Sequence, residues 1–235
     1  VAPYSTALGF GAGDAASVTG FYNVSVGYNA GSNITTGDYN VGIGSLSMQG
    51  NGTNNTAVGH ASQGSSSATG QGNSSLGYQT LDALTSGQFN VGVGFAAGSS
   101  VTSGSRNTFV GYRAGAQVTT GVNNTFVGNV EGLQSVSNMV AIADGDGDVR
   151  FQANANGAVS FDGASYGSAG QVLTSNGQGS AVTWADPTGG MVSETTVSAT
   201  GSSVVVPIPA NARRATIVIN DVSYTGIPGS LTDIQ

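Results

Sequence analysis

NTAVG, Asn55 to Gly59, and NTFVG, Asn107 to Gly111 and again Asn124 to Gly128, are the cleanest copies of one pattern. An Asn is followed by two variable residues, an aliphatic residue and a Gly, and the pattern returns eight times between Ser5 and Gly128. Its glycines are Gly9, Gly27, Gly44, Gly59, Gly77, Gly94, Gly111 and Gly128, so successive steps are 18, 17, 15, 18, 17, 17 and 17 residues. A period this short indicates a stacked solenoid or fibre, in which each coil is covered by its neighbours.

The columns of the repeat give it physical content. Before each Gly stands Leu8, Val26, Ile43, Val58, Leu76, Val93, Val110 or Val127, aliphatic in every copy, as a dry strand position requires. Two residues earlier come Thr6, Val24, Val41, Thr56, Ser74, Val91, Thr108 and Thr125. These are mostly β-branched and share a face with the aliphatic column by the period of two, and the expectation is that this face points into the coil. Four residues before the Gly is an Asn in every copy but the first, where Ser5 takes its place. Stacked asparagines can bond to the coils above and below, so an internal Asn ladder is expected. A second glycine lies three residues before each Asn, at Gly20, Gly37, Gly52, Gly70, Gly87, Gly104 and Gly121. Two glycine turns per coil are expected to close the loop.

A self-sufficient left-handed β-helix carries aliphatic residues on three faces, at steps near six. Six residues after Val26, Val58 and Val110 come Ser32, Gly64 and Ala116. Only one side of each coil is therefore dependably apolar, and packing it against copies of itself around an axis is the expected solution.

The [VT]-x-[VIL]-G core, followed by an aromatic and then A-G in GYNAG (Gly27 to Gly31) and GYRAG (Gly111 to Gly115), resembles the head repeats of YadA-like trimeric autotransporter adhesins and their relatives in bacteriophage tail fibres. Both families trimerise, so the resemblance implies a homotrimer. It covers Ser5 to about Leu133. Coils near 17 residues, with Ser/Thr/Gly loops, are longer than those of the adhesin heads and are more similar to the phage versions.

Composition fits an extracellular or virion location. The 235 residues include 39 Gly, no Cys, and five basic residues, all Arg, against twelve acidic ones, for a formal charge of −7. That balance speaks against nucleic acid as a partner, and no apolar run approaches a membrane span. With Val1 first and Gln235 ending inside what reads as a β-domain, further chain is expected at both ends. Tail or baseplate proteins would be met through the N-terminal part, and host polysaccharide or protein through the C-terminal part.

Four regions are read along the chain: a repeat shaft of eight coils at 1–133; a degenerate cap coil and β-hairpin at 134–163; a hairpin connector and linker at 164–190; and an incomplete C-terminal β-domain at 191–235. NMVAIA, Asn138 to Ala143, is a ninth, degenerate copy. Val149, Phe151 and Ala153 alternate with polar residues, Asn156-Gly157 turns the chain, and Val159 and Phe161 alternate again, which reads as a hairpin. A second hairpin is read from QVLTS (Gln171 to Ser175), Asn176-Gly177 and AVTWA (Ala181 to Ala185). The string Gly167 to Asp186 resembles a connector of phage tail fibres, which precedes a distal module. Strands are read at Val192 to Ser198, Ser203 to Val206 and Ala215 to Tyr224, the start of a β-sandwich-like module.

Chemistry is sparse. Asp144, Asp146 and Asp148 have the spacing of a calcium loop, but Ala155 stands where an EF-hand needs Glu, so a plain turn is the favoured reading. His60 follows Gly59 in the column of Phe10, Tyr28, Tyr78, Phe95 and Tyr112, which marks it as a packing residue. Asp14, Asp38, Asp82 and Glu131 lie at unrelated columns, unlike the paired carboxylates of glycoside hydrolysis. No enzyme and no cofactor is expected. Asn55, Val58, Gly59, Asn107, Val110, Gly111, Asn124, Val127 and Gly128 are structural repeat positions. The expected role is a virion tail-fibre shaft that projects a receptor-binding tip. The alternatives are the head of a bacterial surface adhesin and the non-catalytic part of a depolymerase tailspike.

Overall fold

A computed structural model describes residues 4–15, 19–163 and 165–187. The chain divides into two units, 1–185 and 186–235. The strands read at Val192 to Ser198, Ser203 to Val206 and Ala215 to Tyr224 lie outside the described residues, as does the distal module.

The first unit is all-β, with no helix among the described residues. The short strands β1 (Thr6–Leu8), β2 (Val24–Val26), β3 (Val41–Ile43), β4 (Thr56–Val58), β5 (Ser74–Leu76), β6 (Val91–Val93), β7 (Thr108–Val110) and β8 (Thr125–Val127) each fall on one copy of the repeat. Each pairs in parallel with the next, and β8 pairs likewise with β9 (Val140–Ala143). The register sets Leu8, Val26, Ile43, Val58, Leu76, Val93, Val110, Val127 and Ile142 in one axial file. This is the stacked β-solenoid that the repeat implies.

The direction of that file corrects the sequence reading. Leu8, Leu76 and Ile142 are 67%, 52% and 44% exposed, so the aliphatic column faces out of the coil. The residue between the two outer columns points in: Ser25, Ala57, Ser75, Phe109, Phe126 and Ala141 are buried. Alternation explains this. An Asn held inside the coil shares its face with the residue two further on, the middle of the strand, and so sends the aliphatic residue to the opposite side.

The interior has a second apolar column that steps of six do not reach. Ile34, Leu84, Val101 and Val118, each seven residues after its repeat glycine, are buried. Large and small residues interlock there. The rings of Phe109 and Phe126, 5.6 Å apart, are fully buried. A Cβ at Gly132 would stand 2.7 Å from the Phe126 ring, and one at Gly98 would stand 2.8 Å from that of Phe109. Volume added at one position is thus removed at another, as a close-packed interior demands.

The glycines divide by role. Gly59 and Gly111 take φ of +130° and +135°, a conformation that side chains avoid. The second set does not turn the chain through positive φ. A Cβ on Gly52 or Gly70 would overlap the carbonyl oxygen of the matching glycine in the next coil, so that column is small because coils approach closely.

After β9 the parallel stack ends. β10 (Val149–Ala153) runs antiparallel to β9, and β11 (Val159–Phe161) antiparallel to β10, with Gly157 at φ +77° in the turn. This hairpin covers the last coil. β12 (Val172–Thr174) and β13 (Thr183–Ala185) form a separate two-stranded antiparallel sheet, the second hairpin expected. Trp184 packs over Gly167, where a Cβ would meet the ring at 2.7 Å.

Candidate interaction surface

The asparagines form a continuous internal ladder, and it positions everything on the surface. Asn107 is fully buried, and its backbone N–H and Nδ2 each donate to Asn90 Oδ1 at 3.0 Å. Its Nδ2 also donates to the Gly121 carbonyl at 2.8 Å. Asn124 repeats these bonds to Asn107 Oδ1, both at 3.0 Å. Asn55 donates its backbone N–H to Asn40 Oδ1 at 3.0 Å and Nδ2 to the Gly70 carbonyl at 3.0 Å. The ends are closed by substitutes. Ser5 Oγ accepts from Asn23 N–H at 3.0 Å, and Asn124 Nδ2 donates to the Val136 carbonyl at 2.7 Å. Each Asn fixes the height of the next coil, so surface columns stack as rows.

Three rows follow from this. The central one is the outer face of the parallel strands, aliphatic in one column, including Val58, Val110 and Val127, and mostly β-branched in the other, where Ser74 is the exception. On one side runs an aromatic row directly after the repeat glycine. Phe10 stacks on Tyr28 at 5.8 Å, and His60, Tyr78, Phe95 and Tyr112 form a continuous stack with centroids 5.1–5.5 Å apart. His60 therefore takes its place as a ring in a packing column. Along the other side, directly before the ladder Asn, Tyr4, Tyr22 and Tyr39 stack at 5.5 and 5.1 Å. The sequence reading missed this second row, although lining up the copies on the Asn shows it.

That second row is strained. Tyr4, Tyr22, Tyr39, Phe89 and Arg106 take φ of +65°, +59°, +56°, +58° and +57°, the left-handed region that disfavours bulky side chains. Asn54, Gly72 and Asn123 occupy the same column at φ +59°, +67° and +58°, as its backbone prefers.

The candidate cation loop is held by an internal cation. Asp144 Oδ1 accepts the backbone N–H groups of Asp146 and Asp148 at 3.1 and 3.0 Å. Arg150 Nη2 and Nε donate to Asp144 Oδ2 at 2.6 and 3.0 Å, and Arg150 Nη1 reaches Asp162 at 3.2 Å. The Arg150 hydrogen bond, more than the backbone bonds, holds the Asp144 carboxyl below the usual range. Asp144, Asp146 and Asp148 thus form an Arg-clamped turn. Among the described residues no group of three or more His, Cys, Asp or Glu converges as metal ligands would.

Two of the other carboxylates have partners of their own. Asp38 accepts the Phe21 N–H at 2.7 Å, and Glu131 lies 2.7 Å from Arg113 Nε. Burial raises the Asp82 pKa, against the lowering effects of the Gly64 N–H and His60. A carboxyl whose folded pKa exceeds its unfolded value stabilises the fold below the unfolded pKa, and that contribution is lost as pH rises through the folded one. Relative to wild type, Asp82→Asn is therefore expected to gain stability as pH rises from about 3 to 6. Thermal melts across that range check it, and an unchanged difference between the two chains refutes the assignment.

No family model, no curated protein and no solved structure matches this chain.

Proposed function

We propose that this chain forms the trimeric shaft of a bacteriophage tail fibre, a structural virion protein that holds a receptor-binding tip away from the particle. The observation that carries the reading is the outer row. A chain that buries Phe109 and Phe126 completely still leaves a continuous line of Leu, Val and Ile on its outer face, with Leu8, Ile43, Leu76, Val127 and Ile142 exposed and Val26, Val58, Val93 and Val110 half-buried. A contiguous apolar strip of that length on a soluble protein marks an interaction site. Two further copies of the chain are its occupant, because an in-register file of equivalent residues is self-complementary around a parallel axis.

The fibre role draws further support from the resemblance of the repeats and of Gly167 to Asp186 to tail-fibre sequences. Rigidity is supplied by the ladder. On this reading the N-terminal side meets tail or baseplate proteins and the C-terminal side meets the host surface. Native mass measurement of the soluble chain is expected to give three copies, and a stable monomer overturns the reading. Deleting whole coils from the complete fibre is expected to shorten reach while host selectivity is kept. Tight binding of host polysaccharide by a fragment ending at Leu133 makes the coils an adhesin head instead.

A further inference from the structure

We propose that the two side rows are the two halves of one inter-subunit joint, with Tyr4, Tyr22, Tyr39, Phe89 and Arg106 of one copy seated against the post-glycine row of the next. This deepens the trimer reading and rests on it. Rotation about a threefold axis parallel to the stack leaves height unchanged and brings unlike ends of the three outer faces together. The residue before the ladder Asn in one copy then meets the residue after the repeat glycine in its neighbour, at the same coil.

Dimensions support this closure. From Arg106 to Tyr112 is six residues, at most about 20 Å of extended chain. Three faces roughly 17–20 Å wide, closed as a triangle, stand about 5–6 Å from the axis, which is half the ~10 Å spacing of packed sheets. The outer aliphatic file then fills the centre while the corners touch.

Strain supplies the second, independent observation. At the left-handed column Gly or Asn is cheapest, and Gly72 and Asn123 stand there without cost. Tyr22, Tyr39, Phe89 and Arg106 hold the same φ with large side chains that are exposed in the single chain. Asn29, Leu46, Gln79 and Arg113 at the other corner take the same φ, so it is the large exposed rings and guanidinium kept in this column that point to a task for the side chain. Three same-level pairs are chemically matched, while Tyr39 faces Ser45. Phe89 shares its coil with Phe95, an aromatic pair, and Arg106 shares its coil with Tyr112, so that a guanidinium lies over a ring across the joint. Tyr22 likewise meets Tyr28.

The chain has no cysteine, which makes the test clean. Arg106→Cys combined with Tyr112→Cys, oxidised and run under denaturing, non-reducing conditions, is expected to give covalent trimers that reductant returns to single chains. Within one chain the two positions lie at opposite ends of β7, beyond the roughly 7 Å Cα separation that a disulfide spans. Phe89→Cys with Phe95→Cys is the second pair, should the first fail to fold. Arg106→Cys with Phe95→Cys, one coil out of level, is expected to stay uncrosslinked. A native trimer in which neither same-level pair crosslinks, or one that crosslinks only through the offset pair, overturns the joint and leaves the trimer reading standing. A monomer by native mass overturns both.

Discussion

Replacing Asn90 by Ala is expected to destabilise the repeat stack by about 2–6 kcal/mol, since two buried polar groups lose partners worth roughly 1–3 kcal/mol each. Asn90 Nδ2 donates to Asn73 Oδ1 at 3.1 Å and to the Gly104 carbonyl at 2.9 Å. Its Oδ1 accepts both the backbone N–H and the Nδ2 of Asn107 at 3.0 Å. Truncation leaves the Asn107 N–H and the Gly104 carbonyl facing a dry interior, in which the neighbouring Asn73 and Asn107 are fully buried. The gap also breaks the row at its middle, so coils on either side lose a common height reference. Ser103→Ala, at an exposed loop position, is expected to change stability by under about 0.5 kcal/mol. Denaturant or thermal unfolding compares the two, and equal losses would refute the ladder as the internal spine.

The register of the fold was legible because the ladder, corner and outer aliphatic columns of the repeat each carry one chemical demand. Asn at one position and a small corner at another require copies to stack in parallel without slip, and the structure places Val58, Val110 and Val127 in one file. The side faced by that file was not legible from hydrophobicity alone. An aliphatic column looks like core, and Leu8 or Leu76 in isolation gives no sign of being exposed. The decisive clue was the parity between the Asn and the strand's middle residue, a column containing Gly42, Ser75, Ala57 and Phe109 that no single hydrophobic pattern describes.

The interior was hidden for a related reason. Its filling is shared among columns that compensate one another: Gly132 accommodates the ring of Phe126, and Gly98 lies between Leu81 and Phe109. Each column read alone varies in size from copy to copy, although the sum is close-packed. The Asp144, Asp146 and Asp148 spacing was visible, but its partner Arg150 comes from the following strand, and only the antiparallel fold-back of β11 onto β10 brings Asp162 to that guanidinium.

Val110→Asp is expected to dissociate the proposed trimer while leaving the coils folded. Val110 lies in the outer file between Val93 and Val127 and is half-buried in the single chain. There an Asp carboxylate reaches water, so the isolated coil loses little. In the trimer three carboxylates would be forced together around a dry axis. At about 3 kcal/mol or more per chain for desolvation and like-charge repulsion, the association constant falls by roughly six orders of magnitude or more, taking 1.4 kcal/mol per tenfold. Val127→Asp, one coil further along, is expected to act in the same way. The two readouts separate the alternatives. Loss of the trimer by mass with β-sheet circular dichroism retained places the file at the joint between chains. Had the file faced the coil interior, as hydrophobicity alone suggests, the same substitution would collapse secondary structure and association together. A trimer that persists with its melting temperature unchanged removes the outer file from the contact altogether.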